Sequence, residues 1–478
     1  MAGWLGKAAS VVMVFIATWG ATILYWRNSG TVPTGMQMLA YLGLLPVGLS
    51  GAGFMLRSAA RRGADVALAK AGDDASAPAK GEAGQHAQGA PQVPAVALLA
   101  GDLKLGLDLD PEALLATAAA PPRPSLDGRF RDNYNLPVRM SAAPDLDEFE
   151  VLQARQDGID TAAHERRALA LLQPVLERLL EAAFTALPEI EATEEVVVAG
   201  LRRRDEQRVE NVLTLELLVP GSWSDALRPW VQDWLLQQAR AVGLDARRFD
   251  VRITTLESAR DVWPHLQRVI DALHASPTPR WHLLLASSSS IDANIISAWQ
   301  ATGVLATAKD PDGRVPGEGA AGVLLASASA AREGAGRVWR PQLLRAEQIE
   351  GQRPAEQRRQ LATLATQWHA TVGADSGPAQ FVLHDADHRG DLMVDAAAIA
   401  ATLSPDLDFS PQSLALAISA GELGPVLPVA QLALAHVQLQ RQGEPVLLLG
   451  VADNQQRLFG LVDPLPSPTL AADAPSAS

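Results

Sequence analysis

The chain has 478 residues, no cysteine and a formal net charge of −14 at pH 7. The acidic balance argues against nucleic-acid binding, which needs a basic surface, and the lack of cysteine excludes disulfides, thiolate metal sites and cysteine nucleophiles. The length exceeds that of one ordinary domain and leaves room for a large hydrophobic core.

Two uncharged apolar segments predict a transmembrane helical hairpin within residues 1–62. They run from about 8 to 26 and from about 36 to 56, close to the ~20 apolar residues that span a bilayer as a helix. The first ends in Tyr25-Trp26-Arg27 rather than at a small-residue cleavage site, and a second span follows it. We therefore interpret it as a membrane span and not as a signal peptide.

Cations flanking the two spans predict their orientation. The connecting loop carries Arg27, whereas Arg57, Arg61 and Arg62 follow the second span and Lys7 precedes the first. The positive-inside rule then places both termini in the cytoplasm. We expect a multi-pass protein of the bacterial inner membrane with a cytoplasmic body. The spans lack the ionisable residues that a transport pathway usually needs, which favours an anchor.

Residues 63–92 are rich in Ala, Gly, Asp and Pro and predict a flexible linker, and residues 464–478 predict a disordered tail of the same character. Between them, alternating strand and helix patterns predict an α/β body with layered sheets. The predicted strands are 95–100, 196–201, 212–219, 249–254, 282–286, 321–326, 381–384, 414–418, 445–451 and 457–461, with sheet edge over 338–349. The predicted helices are 145–187, 222–242, 261–274, 291–301, 354–371, 392–403 and 426–440.

The segment 310–327 combines a turn with a buried strand. Pro311-Asp312-Gly313 has turn chemistry, and Val323-Leu324-Leu325 is an apolar run typical of a strand covered on both faces. The glycines between them predict that another backbone or helix approaches closely. A phosphate cradle would need a helix after the glycines, and this loop runs into a strand, so a nucleotide-binding loop is excluded.

The same segment matches the "DxDGxxxGEGAxxxxL" pattern of the β-ketoacyl synthases, within the thiolase-like superfamily. The matching positions are Asp310, Asp312, Gly313, Gly317, Glu318, Gly319, Ala320 and Leu325. A second match is Gly421-Glu422-Leu423-Gly424, which opens a predicted helix before two final strands. The resemblance implies a five-layer αβαβα sandwich of two similar halves, residues 93–335 and 336–463, each with a five-stranded mixed sheet. It also gives these motif residues a structural role.

The chemistry of that family does not carry over. Its nucleophile is a cysteine at the start of the helix before the strand at Leu283, and here that start contains Ser258. Ser258 is a candidate for a substitute nucleophile, but we favour a capping box with Asp261, because the nearby chain offers His265 alone as a base. Glu422 stands where the family has a His or Asn, and an ionised carboxylate cannot donate to a thioester oxygen.

The densest cluster of metal-type ligands is His384-Asp385-Ala386-Asp387-His388, on a loop after a strand. Alternate residues of an extended loop can converge on a cation. We favour a polar loop, because no further His or Cys lies at ligand spacing. No metal and no other cofactor is predicted.

The leading hypothesis is a membrane-anchored, catalytically inactive ketosynthase-like protein that acts as a binding or scaffold module. The segments at Gly421–Gly424 and Asp453–Arg457 resemble ketosynthase-like proteins associated with type VI secretion loci, which implies secretion machinery or an effector as partner. Pairing of subunits in the superfamily implies a homodimer.

The rival hypothesis is an acyltransferase or acyl-binding enzyme with a non-cysteine mechanism. It predicts an open apolar tunnel at Ser258, with Glu422 and a histidine converging on it, whereas the scaffold hypothesis predicts a collapsed or filled pocket.

Overall fold

The structure, a computed structural model, describes residues 93–146, 149–189, 196–198, 201–203, 210–256, 258–345, 349, 354–372 and 376–465. The chain divides into two compact units, Met1–Gln88 and Gly89–Ser478, and these residues all belong to the second. The predicted spans, the linker up to residue 92 and most of the predicted tail lie outside them. Among the described helices, none combines the length and apolarity needed to cross a membrane.

The described residues form fifteen strands and ten α-helices. The strands are β1 Ala95–Leu105, β2 Ser125–Arg131, β3 Pro137–Met140, β4 Val196–Val198, β5 Leu201–Arg203, β6 Leu213–Pro220, β7 Phe249–Leu256, β8 Trp281–Ser289, β9 Glu318–Ala326, β10 Gly336–Trp339, β11 Gln342–Arg345, β12 Phe381–His384, β13 Ser413–Ala415, β14 Val446–Gly450 and β15 Gln456–Pro464. The helices are α1 Pro111–Ala116, α2 Leu152–Gln156, α3 Ala163–Ala186, α4 Leu227–Ala241, α5 Ala259–His274, α6 Ala293–Ala301, α7 Pro354–Val372, α8 Gly390–Leu403, α9 Leu416–Ala420 and α10 Val426–Gln442.

Ten strands of the main sheet fall into two sets of five with the same arrangement. The first set lies in the order β7-β6-β8-β9-β1 and the second in the order β13-β12-β14-β15-β10. In each set the first three strands are parallel to one another, and the last two pair antiparallel. The predicted two similar halves are therefore seen in the strand order. They are not separate sheets, because β1 pairs with β10 and, with β11 on β15, makes one eleven-stranded sheet.

Three hydrophobic cores arrange the helices and sheet halves in five layers. Strand residues alternate between faces, so Leu284 lies in the central core and its neighbours Leu283 and Leu285 lie in an outer core with α3 and α4. Likewise Leu448 faces the central core, whereas Leu447 faces the other outer core with α7 and α8. The central core contains α5 and α10, which lie between the two sheet halves. This is the αβαβα order that the sequence resemblance implies.

Several element boundaries differ from the prediction. The predicted strand 414–418 is a three-residue edge strand, β13, that turns at once into α9, and the predicted strand 196–201 is two short strands paired through Val198 and Leu201. The predicted helix 145–187 is two helices, α2 and α3, since Gly158 takes a φ of +76° after α2. The β2–β3 hairpin was not predicted at all, because Pro-rich chain precedes it and its strands are short.

Candidate functional site

The N-termini of the two central helices, α5 and α10, open onto one pocket of about 470 Å³. Ser258 lies at the start of α5, Glu422 precedes α10, and the loop after β12 contributes Asp385, Asp387 and His388. We call it the Ser258 pocket. The loops that follow β7 and β12, one from each half of the sheet, both line this pocket. The structure thus brings together residues that the sequence assigned to two different candidate sites.

The hydroxyl of Ser258 is engaged in capping α5. Its Oγ donates to Oδ2 of Asp261 over 2.7 Å, and its backbone N–H donates to the same oxygen over 3.1 Å. Among the described residues, no histidine hydrogen-bonds this hydroxyl. Ser258 therefore has the geometry of a helix cap, and its hydroxyl donates to a carboxylate rather than to a histidine of the described residues.

The nearest histidine along the chain, His265, is held elsewhere. Its Nε2 lies 3.0 Å from Oε2 of Glu216, and Nε2 of His282 lies 3.0 Å from the same oxygen. Thr254 donates to the other carboxylate oxygen. Burial alone would raise the pKa of Glu216, but the hydrogen bonds from His265, His282 and Thr254 outweigh this effect. Together they lower the pKa of Glu216 well below its usual range. This buried cluster joins three strands to α5 and takes His265 out of reach of Ser258.

Asp385 is the titratable group of the pocket with the most unusual environment. Loss of hydration raises the pKa of Asp385 to about 6, although two backbone N–H groups and the charge of Arg457 oppose the rise. Those N–H groups, of Val451 and Ala452, donate to Oδ1 over 2.6 and 2.9 Å. The carboxyl is thus fixed in position and is close to half-protonated near pH 6.

Glu422 is held by its backbone and has a partly exposed side chain. Its N–H donates to the carbonyl oxygen of Val315 over 2.8 Å, and one of its carboxylate oxygens lies 4.0 Å from Nε of Arg314. The other carboxylate oxygen accepts from the N–H of Gly424 over 3.3 Å. Glu422 and Asp385 place negative charge where two helix N-termini present positive ends, an arrangement that helix dipoles favour.

The glycines of the two sequence motifs pack against each other. A Cβ added at Gly317 would overlap the carbonyl oxygen of Ala420, and one at Gly421, whose φ is +68°, would lie 2.7 Å from the carbonyl oxygen of Val315. Gly319 similarly leaves room for Leu105, and Gly313 for the backbone at Leu305. The predicted close approach of backbone is confirmed, and it is the approach of one motif to the other.

Glu318, which follows Gly317, sits in a buried network beneath the pocket wall. Its carboxylate accepts from Arg167 on α3 over 2.8 and 2.6 Å, from Ser289 over 2.8 Å and from the N–H of Ala143 over 2.6 Å. Asp312 and Gly313 line the pocket, and Gly424, with a φ of +53°, precedes α10. Of the predicted structural residues, Asp312, Gly313, Gly421 and Gly424 thus line the pocket, and Gly317, Glu318 and Gly319 do not.

The four metal-type residues point in different directions, and His384 is the last residue of β12 rather than part of the loop predicted after that strand. His384 is fully buried and stacks on Phe409 at 5.5 Å, Asp387 pairs with Arg389, and Nε2 of His388 lies 2.7 Å from the carbonyl oxygen of Pro311. Within the described part of the chain, no three or more His, Asp or Glu residues are arranged to hold a metal ion.

The pocket is open and polar, which matches neither sequence hypothesis in full. The scaffold hypothesis predicted a collapsed pocket, and the enzyme hypothesis predicted an apolar tunnel. Three further lining residues were not marked by any sequence motif: Arg260, Trp263 and Gln431. Arg260 donates to Gln455 over 2.8 Å, so the loop before β15 closes one side. The arrangement can bind a polar group through paired charges, and the described residues show no serine–histidine hydrogen bond in it.

No protein-family model matches the chain. No curated protein matches it in sequence. Solved structures that resemble it include the ketosynthase from module 6 of the bacillaene synthase of Bacillus subtilis 168, at 12% identity and TM-score 0.47, covering 78% of this chain and 72% of that one. The ishigamide ketosynthase/chain length factor is 14% identical at TM-score 0.43, covering 78% and 100%. A cerulenin-bound Xanthomonas campestris OleA is 11% identical at TM-score 0.40, covering 78% and 98%. At these values nothing about activity, substrate or partner follows.

Proposed function

We propose that this chain is a catalytically inactive ketosynthase-like protein whose body binds a partner without transforming it. The observation that carries the proposal is the hydrogen bond from Ser258 to Asp261, at the helix start where the β-ketoacyl synthases have their cysteine. No histidine among the described residues contacts that hydroxyl, since His265 is hydrogen-bonded to Glu216. Glu422 in place of His or Asn supports the same conclusion, because its carboxylate cannot donate a hydrogen bond when ionised.

We propose that the predicted transmembrane hairpin within residues 1–62 anchors the chain in the bacterial inner membrane, with its body in the cytoplasm. The body's first strand begins beside the C-terminal end of α5, where Nδ1 of His274 lies 3.1 Å from the carbonyl oxygen of Ala95. A helix of 16 residues is about 24 Å long, so the chain joins the body roughly that far from Ser258. The Ser258 pocket and the start of the body therefore lie at opposite ends of α5.

The partner we propose is a component of a secretion machinery or an effector, on the strength of the sequence resemblance at Gly421–Gly424.

A second copy of this chain is a further proposed partner. It is supported by β7, which ends the described sheet and pairs on one side alone with β6. An edge strand of eight residues offers free backbone groups for pairing with another chain.

One observation favours a second candidate function, that of an acyltransferase or acyl-binding enzyme with a non-cysteine mechanism. The Ser258 pocket is open at about 470 Å³, within the size range of small-molecule sites. An acyl group bound there would lie beside Ser258 and Asp385. The carboxylate of Asp261 accepts a hydrogen bond from the Ser258 hydroxyl. A covalent role for Ser258 would require this carboxylate to act as the base and take up the hydroxyl proton.

Two assays test the proposal. The full chain is incubated with octanoyl-CoA and malonyl-CoA, and released coenzyme A thiol is titrated. We expect release no faster than with the Ser258→Ala variant, and faster release by the unaltered chain would establish enzymatic activity.

The second assay tests membrane anchoring. Membranes containing the full chain are extracted with alkaline carbonate. The anchored chain should stay in the membrane pellet, whereas a chain starting at Val93 should be released, and release of both would refute anchoring.

A further inference from the structure

A second concavity, of about 660 Å³, lies beside the Ser258 pocket and under the β2–β3 hairpin. We call it the hairpin groove. Asp387, His388 and Arg389 contribute to both and so lie at their common boundary. Its apolar lining comes from three parts of the body, namely the hairpin, the link before β9 and the C-terminal half: Leu126, Leu136, Pro137, Val315, Met393 and Ile418.

The hairpin presents large apolar side chains to solvent. Leu126, Tyr134 and Leu136 are 62%, 52% and 44% exposed. The opposite face is anchored, because Val138 and Met140 are buried with residues of the α6 region. The exposed face is therefore held in place by the fold, and a cluster of fixed, exposed apolar residues is typical of an interaction surface.

The groove also carries positive charge in a chain whose net charge is −14. Arg123 and Arg139 line it, and neither has an ion pair with another described residue. Arg139 lies opposite Leu126 in the strand register, so a cation and an exposed leucine are adjacent on the same face. The third arginine, Arg389, is neutralised by Asp387 at 2.7 Å. Two unpaired guanidinium groups beside leucines are complementary to carboxylates carried on an apolar segment.

We propose that the hairpin groove binds an acidic, apolar peptide segment of a partner protein. Its carboxylates pair with Arg123 and Arg139, and its apolar side chains cover Leu126 and Leu136. A peptide fits better than a small amphiphile, because the exposed surface continues past the groove to Tyr134, whose ring carries the ammonium of Lys309 at 3.6 Å. This inference rests on the proposed binding role and names the chemistry of its partner, yet it uses a surface next to the Ser258 pocket.

The test is a selection from a random dodecapeptide library displayed on phage, with the purified full chain as bait. Enriched peptides should combine Asp or Glu with two or more apolar residues. The synthetic form of the most enriched peptide should bind about tenfold more weakly to the Arg123→Ser/Arg139→Ser double variant and to Leu126→Ser. Matched controls are Arg247→Ser, whose arginine pairs with Asp245 in an exposed turn, and the exposed Phe184→Ser, and both should bind as the unaltered chain does.

Enrichment of basic or purely apolar peptides would overturn the inference, as would equal binding to the groove variants and the controls. Failure to enrich any peptide would also overturn it. Displacement of the peptide by dodecanoate at stoichiometric concentration would instead assign the groove to a small amphiphile. Peptide binding is measured independently of coenzyme A release. Failure of the proposed function, seen as coenzyme A release, can therefore be told apart from failure of this inference, seen as the absence of groove-dependent peptide binding.

Discussion

The guanidinium of Arg167 makes two hydrogen bonds, of 2.8 and 2.6 Å, to the carboxylate of Glu318, and both side chains are almost fully buried. The pair connects helix α3 to the first residue of β9, next to Gly317, which packs against Ala420. Since a buried charge is stable only when it is paired, this contact fixes the start of β9 against α3.

Replacing Arg167 with Met should destabilise the protein by about 3–5 kcal/mol, because Glu318 would be left buried without its cation. Urea unfolding of the full chain, followed by tryptophan fluorescence, measures the change. The control is Arg247→Met, which removes a half-exposed arginine from its surface pair with Asp245 and should cost at most about 1 kcal/mol. Equal effects of the two substitutions would mean that Glu318 is satisfied without Arg167.

Gly317→Ala should destabilise the body by about 1–3 kcal/mol, because the added Cβ would overlap the carbonyl oxygen of Ala420 and force the two motifs apart. The same unfolding experiment measures it. Gly128→Ala, on the exposed β2 strand, is the matched control, since a Cβ there meets no atom within 4 Å. If Gly317→Ala were as harmless as Gly128→Ala, the close packing of the two motifs would be wrong.

His384 should make the folded state sensitive to acid. Burial lowers the pKa of His384 to about 4, below the ~6.5 of an unfolded histidine, so the unfolded chain binds a proton first as the pH falls. The stability of the unaltered chain relative to His384→Leu should therefore decrease between about pH 6.5 and 4, by roughly 3 kcal/mol at the end.

Unfolding free energies of the two proteins at several pH values give this difference. Asp385 acts in the opposite direction, since a raised carboxyl pKa adds stability as the pH falls through about 6. It is present in both proteins, so its contribution cancels in the comparison. A difference that does not vary with pH would show that His384 is hydrated or paired in solution.

The sequence predicted the layers well because they depend on local patterns. Runs such as Leu283-Leu284-Leu285 and Val446-Leu447-Leu448-Leu449 read as buried strands, and the glycine motifs located the close approach at Gly317 and Gly421. What it could not predict was which distant loops meet. Asp385 and Ser258 are far apart in the chain, and they share a pocket because the loops after β12 and β7, from different sheet halves, both reach it.

The hairpin groove escaped sequence reasoning for a different physical reason. Leu126 and Leu136 lie in a short, charged, proline-flanked segment with little apolar periodicity, which reads as a loop. Their importance follows from exposure, and exposure depends on Val138 and Met140 anchoring the opposite face. A one-dimensional pattern records which residues are apolar but not which of them remain uncovered.

The central claim, that the Ser258 pocket binds without covalent chemistry, is tested most directly by intact-protein mass spectrometry. The purified full chain and its Ser258→Ala variant are incubated with octanoyl-CoA, and their intact masses are measured under denaturing conditions. We predict that both keep their unmodified mass. A mass increase of one octanoyl group on the unaltered chain, absent from Ser258→Ala, would identify Ser258 as a working nucleophile and contradict it.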